Sequence, residues 1–152
     1  MFRSRIPVAG AVAMLALATV ACTGASPSPE GGTTVDVTLQ EWAVVPAETS
    51  APAGEITFHV TNEGPEDVHE LVVIRTDLAP GDLPTDDTGT VDEEGEGIEE
   101  IVDEIEDLEV DTSQDLTVTL EAGNYVLLCN IYSEDESEAH YAEGMRIAFT
   151  VE

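Results

Sequence analysis

The sequence predicts an all-β fold, a Greek-key β-sandwich. Residues 35–39 and 56–60 alternate apolar and polar side chains, and this period of two is typical of strands with one buried face. Clusters of turn residues separate such segments, as Asn-Glu-Gly-Pro does at residues 62–65. Short strands divided by turns, with little helical periodicity, favour two packed antiparallel sheets connected as a Greek key.

The chain begins with the features of a targeting signal. Arg3 and Arg5 precede an apolar run at residues 6–21, a pattern typical of secretory signals and too short to span a membrane comfortably. Cys22 directly follows small residues, which resembles the lipobox of bacterial lipoproteins. We therefore expect residues 1–21 to be a signal peptide and Cys22 to be lipidated, on the extracytoplasmic face of a bacterial cell membrane. An uncleaved helix or a plain secretory signal is the alternative.

Residues 22–34 connect this signal to the rest of the chain. They are rich in Gly, Ser, Pro and Thr, which is typical of a flexible tether. The remaining residues, 35–152, are sufficient for one folded domain. Four more strands are predicted within it, at residues 69–74, 116–120, 125–129 and 146–151.

The stretch from residue 77 to residue 115 is predicted to be an acidic insertion at the side of the sandwich. Its apolar residues fit one face of a short helix, although residues 105–110 fit a short strand equally well. These apolar residues are Ile98, Ile101, Val102, Ile105 and Leu108. A calcium loop would suit the carboxylates, but residues 82–96 lack the spacing of an EF-hand. A solvated, mobile surface is therefore predicted for this run of acids.

The charge balance excludes one class of partner. Against 33 Asp and Glu the chain has only 4 basic residues, all Arg, and its formal net charge is -29. Nucleic-acid binding requires a patch of basic side chains facing the phosphates, which this chain cannot assemble. An anionic membrane surface would also repel the chain, so contact with a membrane is expected only through the lipid anchor.

Four side chains have the chemistry of a soft-metal site. His69 opens a predicted strand, Cys129 ends another, and His140 and Met145 follow towards the C-terminus. One thiolate, two imidazoles and a weak thioether are the donor set of a type 1 copper centre. Taken singly, each has an alternative, because a cysteine or methionine can be a core residue and a histidine can lie on the surface. His59 alternates with apolar residues, so it is predicted to point away from the core, outside the site.

The segments that hold these side chains resemble the cupredoxins, the small blue copper proteins. The similarity covers residues 35–152, and its specific parts are Asn62-x-Gly64 ahead of residues 69–74, Gly123-Asn124-Tyr125-Val126-Leu127-Leu128-Cys129-Asn130, and His140-Tyr141-Ala142-Glu143-Gly144-Met145. The resemblance implies a plastocyanin-like sandwich with one type 1 copper at one end. It implies His69 and His140 as imidazole ligands, Cys129 as the thiolate ligand and Met145 as the axial ligand.

Two features depart from the usual cupredoxin pattern. Ten residues separate Cys129 from His140, more than is usual in the family, although added loop length costs little closure entropy when both ends are pinned. Glu70 follows His69 where relatives often carry an Asn that links the two ligand loops. Because a carboxylate accepts hydrogen bonds but cannot donate them, a looser link or an altered potential is expected.

An enzymatic function is not expected. Cys129 beside a histidine could form a thiol hydrolase pair, but no segment resembling an oxyanion loop accompanies it. Three histidines in all are too few for the second copper centre of an oxidase. We expect a one-electron carrier, and the alternative is a copper storage or delivery protein or an interaction module without redox activity. Because acids concentrate beside the proposed copper, at residues 130–139, we expect a redox partner with a basic surface.

Overall fold

The computed structural model describes residues 31–152. The predicted signal peptide, the lipidation site Cys22 and most of the predicted tether lie outside the described residues. The described part forms eleven strands and one short helix. The strands are β1 (Thr33–Gln40), β2 (Ala43–Pro46), β3 (Ser50–Ala51), β4 (Gly54–Asn62), β5 (His69–Arg75), β6 (Glu100–Leu108), β7 (Ser113–Leu120), β8 (Gly123–Leu128), β9 (Tyr132–Ser133), β10 (Glu138–Ala139) and β11 (Arg146–Val151), and the helix is α1 (His140–Glu143).

The predicted sandwich is confirmed, with two sheets packed across one core. The first sheet has the order β2-β1-β4-β7 and the second has the order β3-β11-β8-β5-β6, while β9 and β10 form a separate hairpin. Two pairings are parallel, β1 with β4 and β3 with β11. The expectation of purely antiparallel sheets is wrong there, because the chain crosses to the second sheet through β3 before β4 returns beside β1.

Each of the six predicted strands is present. The first of them begins earlier than predicted, because Thr33 and Thr34, assigned to the tether from sequence, pair with Ile56 and Thr57 of β4. The short strands β2, β3, β9 and β10 were not predicted, since two to four residues are too few to show a period.

The largest difference from the prediction concerns the acidic insertion assigned to residues 77–115. Residues 100–108 of that segment are β6, which pairs with β5, and β7 begins at Ser113. The short helix considered there is therefore wrong. At two register shifts between β5 and β6, β6 has one residue more than its partner. Each extra residue breaks the period of two, so the buried Ile105 and Leu108 are spaced as they would be on a helix.

The shorter excursion that remains, residues 76–99, packs against the outer face of the second sheet. Leu83 and Val91 are buried there with Ile74 and Val126, and a bridge pairs Thr85 with Val91. The carboxylates of the excursion are exposed, as the solvated surface predicted for them requires. Among the described residues, no helix is long and apolar enough to cross a membrane.

The packed core and the strand register bring three strand ends together at one end of the sandwich. Phe58 of β4 and Phe149 of β11 are fully buried and pack edge to face, with 5.4 Å between ring centroids. The register places Leu128, the last residue of β8, opposite Val72 of β5 and Arg146, the first residue of β11. The start of β5, the end of β8 and the start of β11 therefore meet at one end of the sandwich.

Candidate metal centre

Three of the four predicted ligands come together at this end of the sandwich. His69 is the first residue of β5, Cys129 follows the last residue of β8, and His140 opens α1. Because β5 and β8 are neighbouring antiparallel strands, the start of one lies beside the end of the other. The donor atoms of these three side chains lie within 4.8 Å of one another.

The distances describe a compact and buried donor set. His140 Nδ1 lies 3.3 Å from Cys129 Sγ and 3.2 Å from His69 Nδ1, and Cys129 Sγ lies 3.9 Å from His69 Nδ1. None of the three residues is more than 1% exposed. Two imidazole nitrogens and one sulfur facing a common point form a donor set of the kind that binds soft and borderline metals.

Met145, the fourth predicted ligand, is fully buried next to this cluster. Its carbonyl accepts the N–H of Cys129 at 3.0 Å, and its own N–H donates to the carbonyl of His140 at 3.1 Å. These bonds hold the backbone of Met145 between two donor residues, while the axial role of its thioether stays a prediction. His59 lies outside the site as predicted, with its ring half exposed and its Nδ1 2.6 Å from Asp115 Oδ1.

The long loop between Cys129 and His140 is closed by its own hairpin. β9 pairs with β10, with Tyr132 opposite Ala139, and the N–H of His140 donates to the carbonyl of Ile131 at 2.9 Å. The added residues therefore project as an acidic hairpin tip, and both ends of the loop remain at the site. This is the physical reason that a ten-residue separation is compatible with a close Cys129–His140 pair.

Gly144 returns the chain from α1 to β11. Its φ of 131° lies in a region that side chains rarely adopt. A Cβ atom there would also lie 3.1 Å from the carbonyl oxygen of Trp42. Glycine at this position allows His140 and Met145 to reach the same site from one short turn.

Glu70, the second predicted departure, links the two strands that carry ligands. Its Oε1 accepts the N–H of Asn130 at 2.7 Å, and its own N–H donates to Cys129 Sγ at 3.4 Å. Because this link needs only a hydrogen-bond acceptor from the side chain, a carboxylate can form it. The structure therefore does not show the looser connection expected from the sequence. Burial raises the pKa of Glu70 to about 7, and an altered potential stays a prediction.

The surroundings favour the neutral forms of the three clustered donors. Burial lowers the pKa of both imidazoles below the ordinary value, and for His69 the neighbouring His140 lowers it further. Burial also raises the pKa of the Cys129 thiol to about 12. A buried, protonated thiol is a poor nucleophile. Metal binding at Cys129 requires loss of this proton.

Two neighbours of the site were not predicted from the sequence to contact it, Glu41 and Trp42, which lie in the turn between β1 and β2. Trp42 packs edge-on against the imidazole of His140, with 5.0 Å between ring centroids. Glu41 Oε1 lies 3.8 Å from His69 Nε2. No local pattern could have indicated these contacts, because β1 belongs to the opposite sheet and reaches the site only through the packing of the sandwich.

Comparison with solved structures identifies the fold. No protein-family model matches the chain, and the curated proteins include no significant match. The structure is similar to that of reduced auracyanin from Roseiflexus castenholzii, with 24% identity and a TM-score of 0.55, over 80% of this chain and 99% of that one. It is similar to auracyanin A of Chloroflexus aurantiacus, described as a "blue" copper protein, with 18% identity and a TM-score of 0.53, over 80% of this chain and 100% of that one.

An azurin from Methylomonas sp. strain J is also similar, with 13% identity and a TM-score of 0.50, over 80% of this chain and 99% of that one. All three of these proteins are cupredoxins. The chain therefore has the cupredoxin fold, which confirms the resemblance inferred from its motifs at the level of the fold.

Proposed function

We propose that this chain, whose fold is that of the cupredoxins, holds one copper ion as a type 1 centre and carries single electrons. The observation that supports this most strongly is the buried cluster of His69, Cys129 and His140, whose donor atoms lie within 4.8 Å of one another. One sulfur and two imidazole nitrogens suit copper better than a hard cation, which prefers oxygen. The shared fold of auracyanin A, a "blue" copper protein, adds support.

The residues of the site suit electron transfer because they are held in place from several sides. His69 and Cys129 are joined through Glu70, and the β9–β10 hairpin fixes His140. Donors that are locked by packing and hydrogen bonds keep one geometry during a change of charge. Bound copper supplies the one-electron change between its cupric and cuprous states.

Voltammetry of the copper-loaded protein tests this function. We expect a reversible one-electron wave that persists over repeated cycles, because the buried donors retain the ion in both states. Copper that binds tightly but gives no reversible wave, or that leaves on reduction, would contradict the electron-carrier function. That outcome would favour copper storage or delivery.

We infer that a redox partner with a basic surface docks over His140. A surface depression leads to this residue, and it is lined by Glu66, Asp67, Val68, Ile131 and Ser133. The exposed hairpin tip beside it carries Glu134, Asp135 and Glu136. The negative charges of Asp67 and Glu66 help to raise the pKa of Glu136, which indicates that the tip and the depression share one acidic field. Such a field steers a positively charged partner.

Neutralising the hairpin tip should slow electron transfer to a basic partner. For the triple variant Glu134→Gln, Asp135→Asn and Glu136→Gln, we expect the bimolecular rate with a basic c-type cytochrome at low salt to fall about tenfold. The rate for the unaltered protein should fall as salt rises, because salt screens exposed charges. Stopped-flow measurements over a range of salt concentrations provide the rates.

The matched control removes three acids from the other end of the sandwich, with Glu48, Glu55 and Glu152, all exposed, replaced by Gln. Glu55 lies at the start of β4, far along the strand from Asn62 at the site end. This variant should retain most of the rate. A rate that does not depend on ionic strength in the unaltered protein would contradict the steering role of the acids.

We also propose that a lipid on Cys22 anchors the protein on the extracytoplasmic face of the membrane. The support is the basic start, the apolar run and the small residues before Cys22. After expression of the full chain in a bacterium supplied with a labelled fatty acid, we expect the label in the unaltered protein and none in the Cys22→Ser variant. An unaltered protein that takes up no label, or a Cys22→Ser variant that takes up as much, would contradict lipid anchoring at Cys22.

A further inference from the structure

Glu41 is an acidic side chain held in the interior next to a proposed ligand. Its side chain is 12% exposed, and its Oε1 lies 3.8 Å from His69 Nε2. Among the described residues, neither His69 Nε2 nor Glu41 Oε2 has a hydrogen-bond partner, and both atoms are buried. Buried polar atoms are costly to leave unpaired, and these two are complementary in chemistry.

The segment that leads into His69 holds this carboxylate. The N–H groups of Glu66 and Asp67 donate to Glu41 Oε1 at 3.2 and 2.8 Å. Gly64 makes room for the carboxylate, because a Cβ atom there would lie 2.7 Å from Glu41 Oε2 and 2.8 Å from Oε1. The turn after β1 in the first sheet is thereby fastened to the ligand-bearing segment of the second sheet.

We propose that Glu41 is a positioning residue for His69. The Glu41 carboxylate accepts a hydrogen bond from the Nε2–H of His69, which leaves Nδ1 unprotonated and facing Cys129 and His140. This role rests on the copper-binding function proposed above. His69 Nε2 and Glu41 Oε1 lie 3.8 Å apart, beyond hydrogen-bond range, so this role requires the imidazole to turn towards Glu41 when Nδ1 binds the metal. A carboxylate that accepts a hydrogen bond from the second ring N–H of a metal-binding histidine fixes the tautomer of that histidine and raises the basicity of its metal-binding nitrogen.

The charge of Glu41 also acts on the metal site directly. Coulomb interactions are stronger in a buried site than in water, so an anion beside His69 favours the more highly charged cupric state over the cuprous state. Glu41 therefore holds the reduction potential below the value that a neutral side chain would give. The same charge selects for the cupric ion during binding.

The Glu41→Gln variant separates charge from shape, because the amide keeps the size of the side chain and an acceptor for the N–H groups of Glu66 and Asp67. We expect cupric affinity to fall about 10- to 100-fold and cuprous affinity to fall less. The reduction potential should rise by about 59 mV for each tenfold difference between the two losses. Nitrogen-15 NMR of the copper-free protein should show His69 protonated on Nε2, and a mixture of tautomers in the variant.

Two further variants separate the placement of the Glu41 carboxylate from the general effect of nearby charge. Gly64→Ala introduces a Cβ that displaces the Glu41 carboxylate without removing its charge. We therefore expect the same changes as in Glu41→Gln, a mixture of His69 tautomers and a lower cupric affinity. Glu63→Gln removes one charge from the same segment at an exposed position and should leave the tautomer and both affinities unchanged.

The outcomes distinguish this role from the function on which it rests. If Glu41→Gln binds copper with unchanged affinity and potential, the role of Glu41 is overturned and copper binding stands. If the unaltered protein binds no copper, the proposed function fails. A His69 ring protonated on Nδ1 in the copper-free protein would overturn the role of Glu41 without any measurement on copper.

Discussion

The Cys129→Ala variant is expected to lose the visible thiolate-to-copper absorption completely while it remains folded. That absorption requires a sulfur bound to copper, and Cys129 supplies the one thiol among the described residues. The side chain is fully buried, so removing its sulfur leaves a cavity comparable to that of a deleted methyl group, which costs about 1 kcal/mol. Absorption spectra with one equivalent of Cu(II), together with circular dichroism, measure both effects.

His59→Ala is the control for this variant. It removes an imidazole that lies outside the site and contacts Asp115, so the absorption should be unchanged. A Cys129→Ala protein that keeps the visible band would show that another group binds the metal. A His59→Ala protein that loses the band would mean that the wrong histidine has been assigned.

Phe58→Ala is expected to lower the free energy of unfolding by about 3–5 kcal/mol. Phe58 is fully buried at the centre of the core and packs edge to face with Phe149 at 5.4 Å. The substitution removes this aromatic pair and leaves a cavity between the sheets. Because domains of this kind are stable by only about 5–15 kcal/mol, the variant should unfold at a much lower concentration of urea.

Val45→Ala on the same sheet is the matched control. Val45 is 47% exposed, so its substitution should change the free energy of unfolding by no more than about 0.5 kcal/mol. A loss of less than about 1 kcal/mol for Phe58→Ala would contradict the assignment of Phe58 to a well-packed core.

The sequence predicts the two-sheet fold and the metal donors because both leave strong local signals. Regular strands such as β1 and β4 show an uninterrupted period of two. The donor residues are chemically rare in this chain, which has three His and two Cys in all. Rare residue types placed at strand ends predict a site without knowledge of how the strands pair.

The pattern of β6 misleads because bulges are a property of pairing and not of one strand. Its two extra residues arise at the register shifts opposite His69–Leu71 and Val73–Ile74, and the resulting spacing imitates a helix. The sequence of β6 alone contains no signal that distinguishes a bulged edge strand from a short amphipathic helix. The partner strand β5 decides between them.

The surroundings of the donors could not be predicted for a similar reason. Glu70 was identified as a departure, but its bond to the N–H of Asn130 at 2.7 Å depends on a neighbouring strand. Glu41 reaches His69 across the interface between the two sheets. Contacts of this kind depend on how elements that are distant in sequence pack against each other, and the periodicity of either segment does not predict them.

Titration of the purified protein with Cu(II), followed by visible absorption and electron paramagnetic resonance, tests the metal-site assignment most directly. If His69, Cys129 and His140 bind one copper as a type 1 centre, an intense thiolate-to-copper band should grow linearly and stop at one equivalent. The resonance spectrum should show the small copper hyperfine splitting of a copper–thiolate bond. A folded protein with Cys129 reduced that develops no such band at one equivalent of Cu(II) would contradict the assignment.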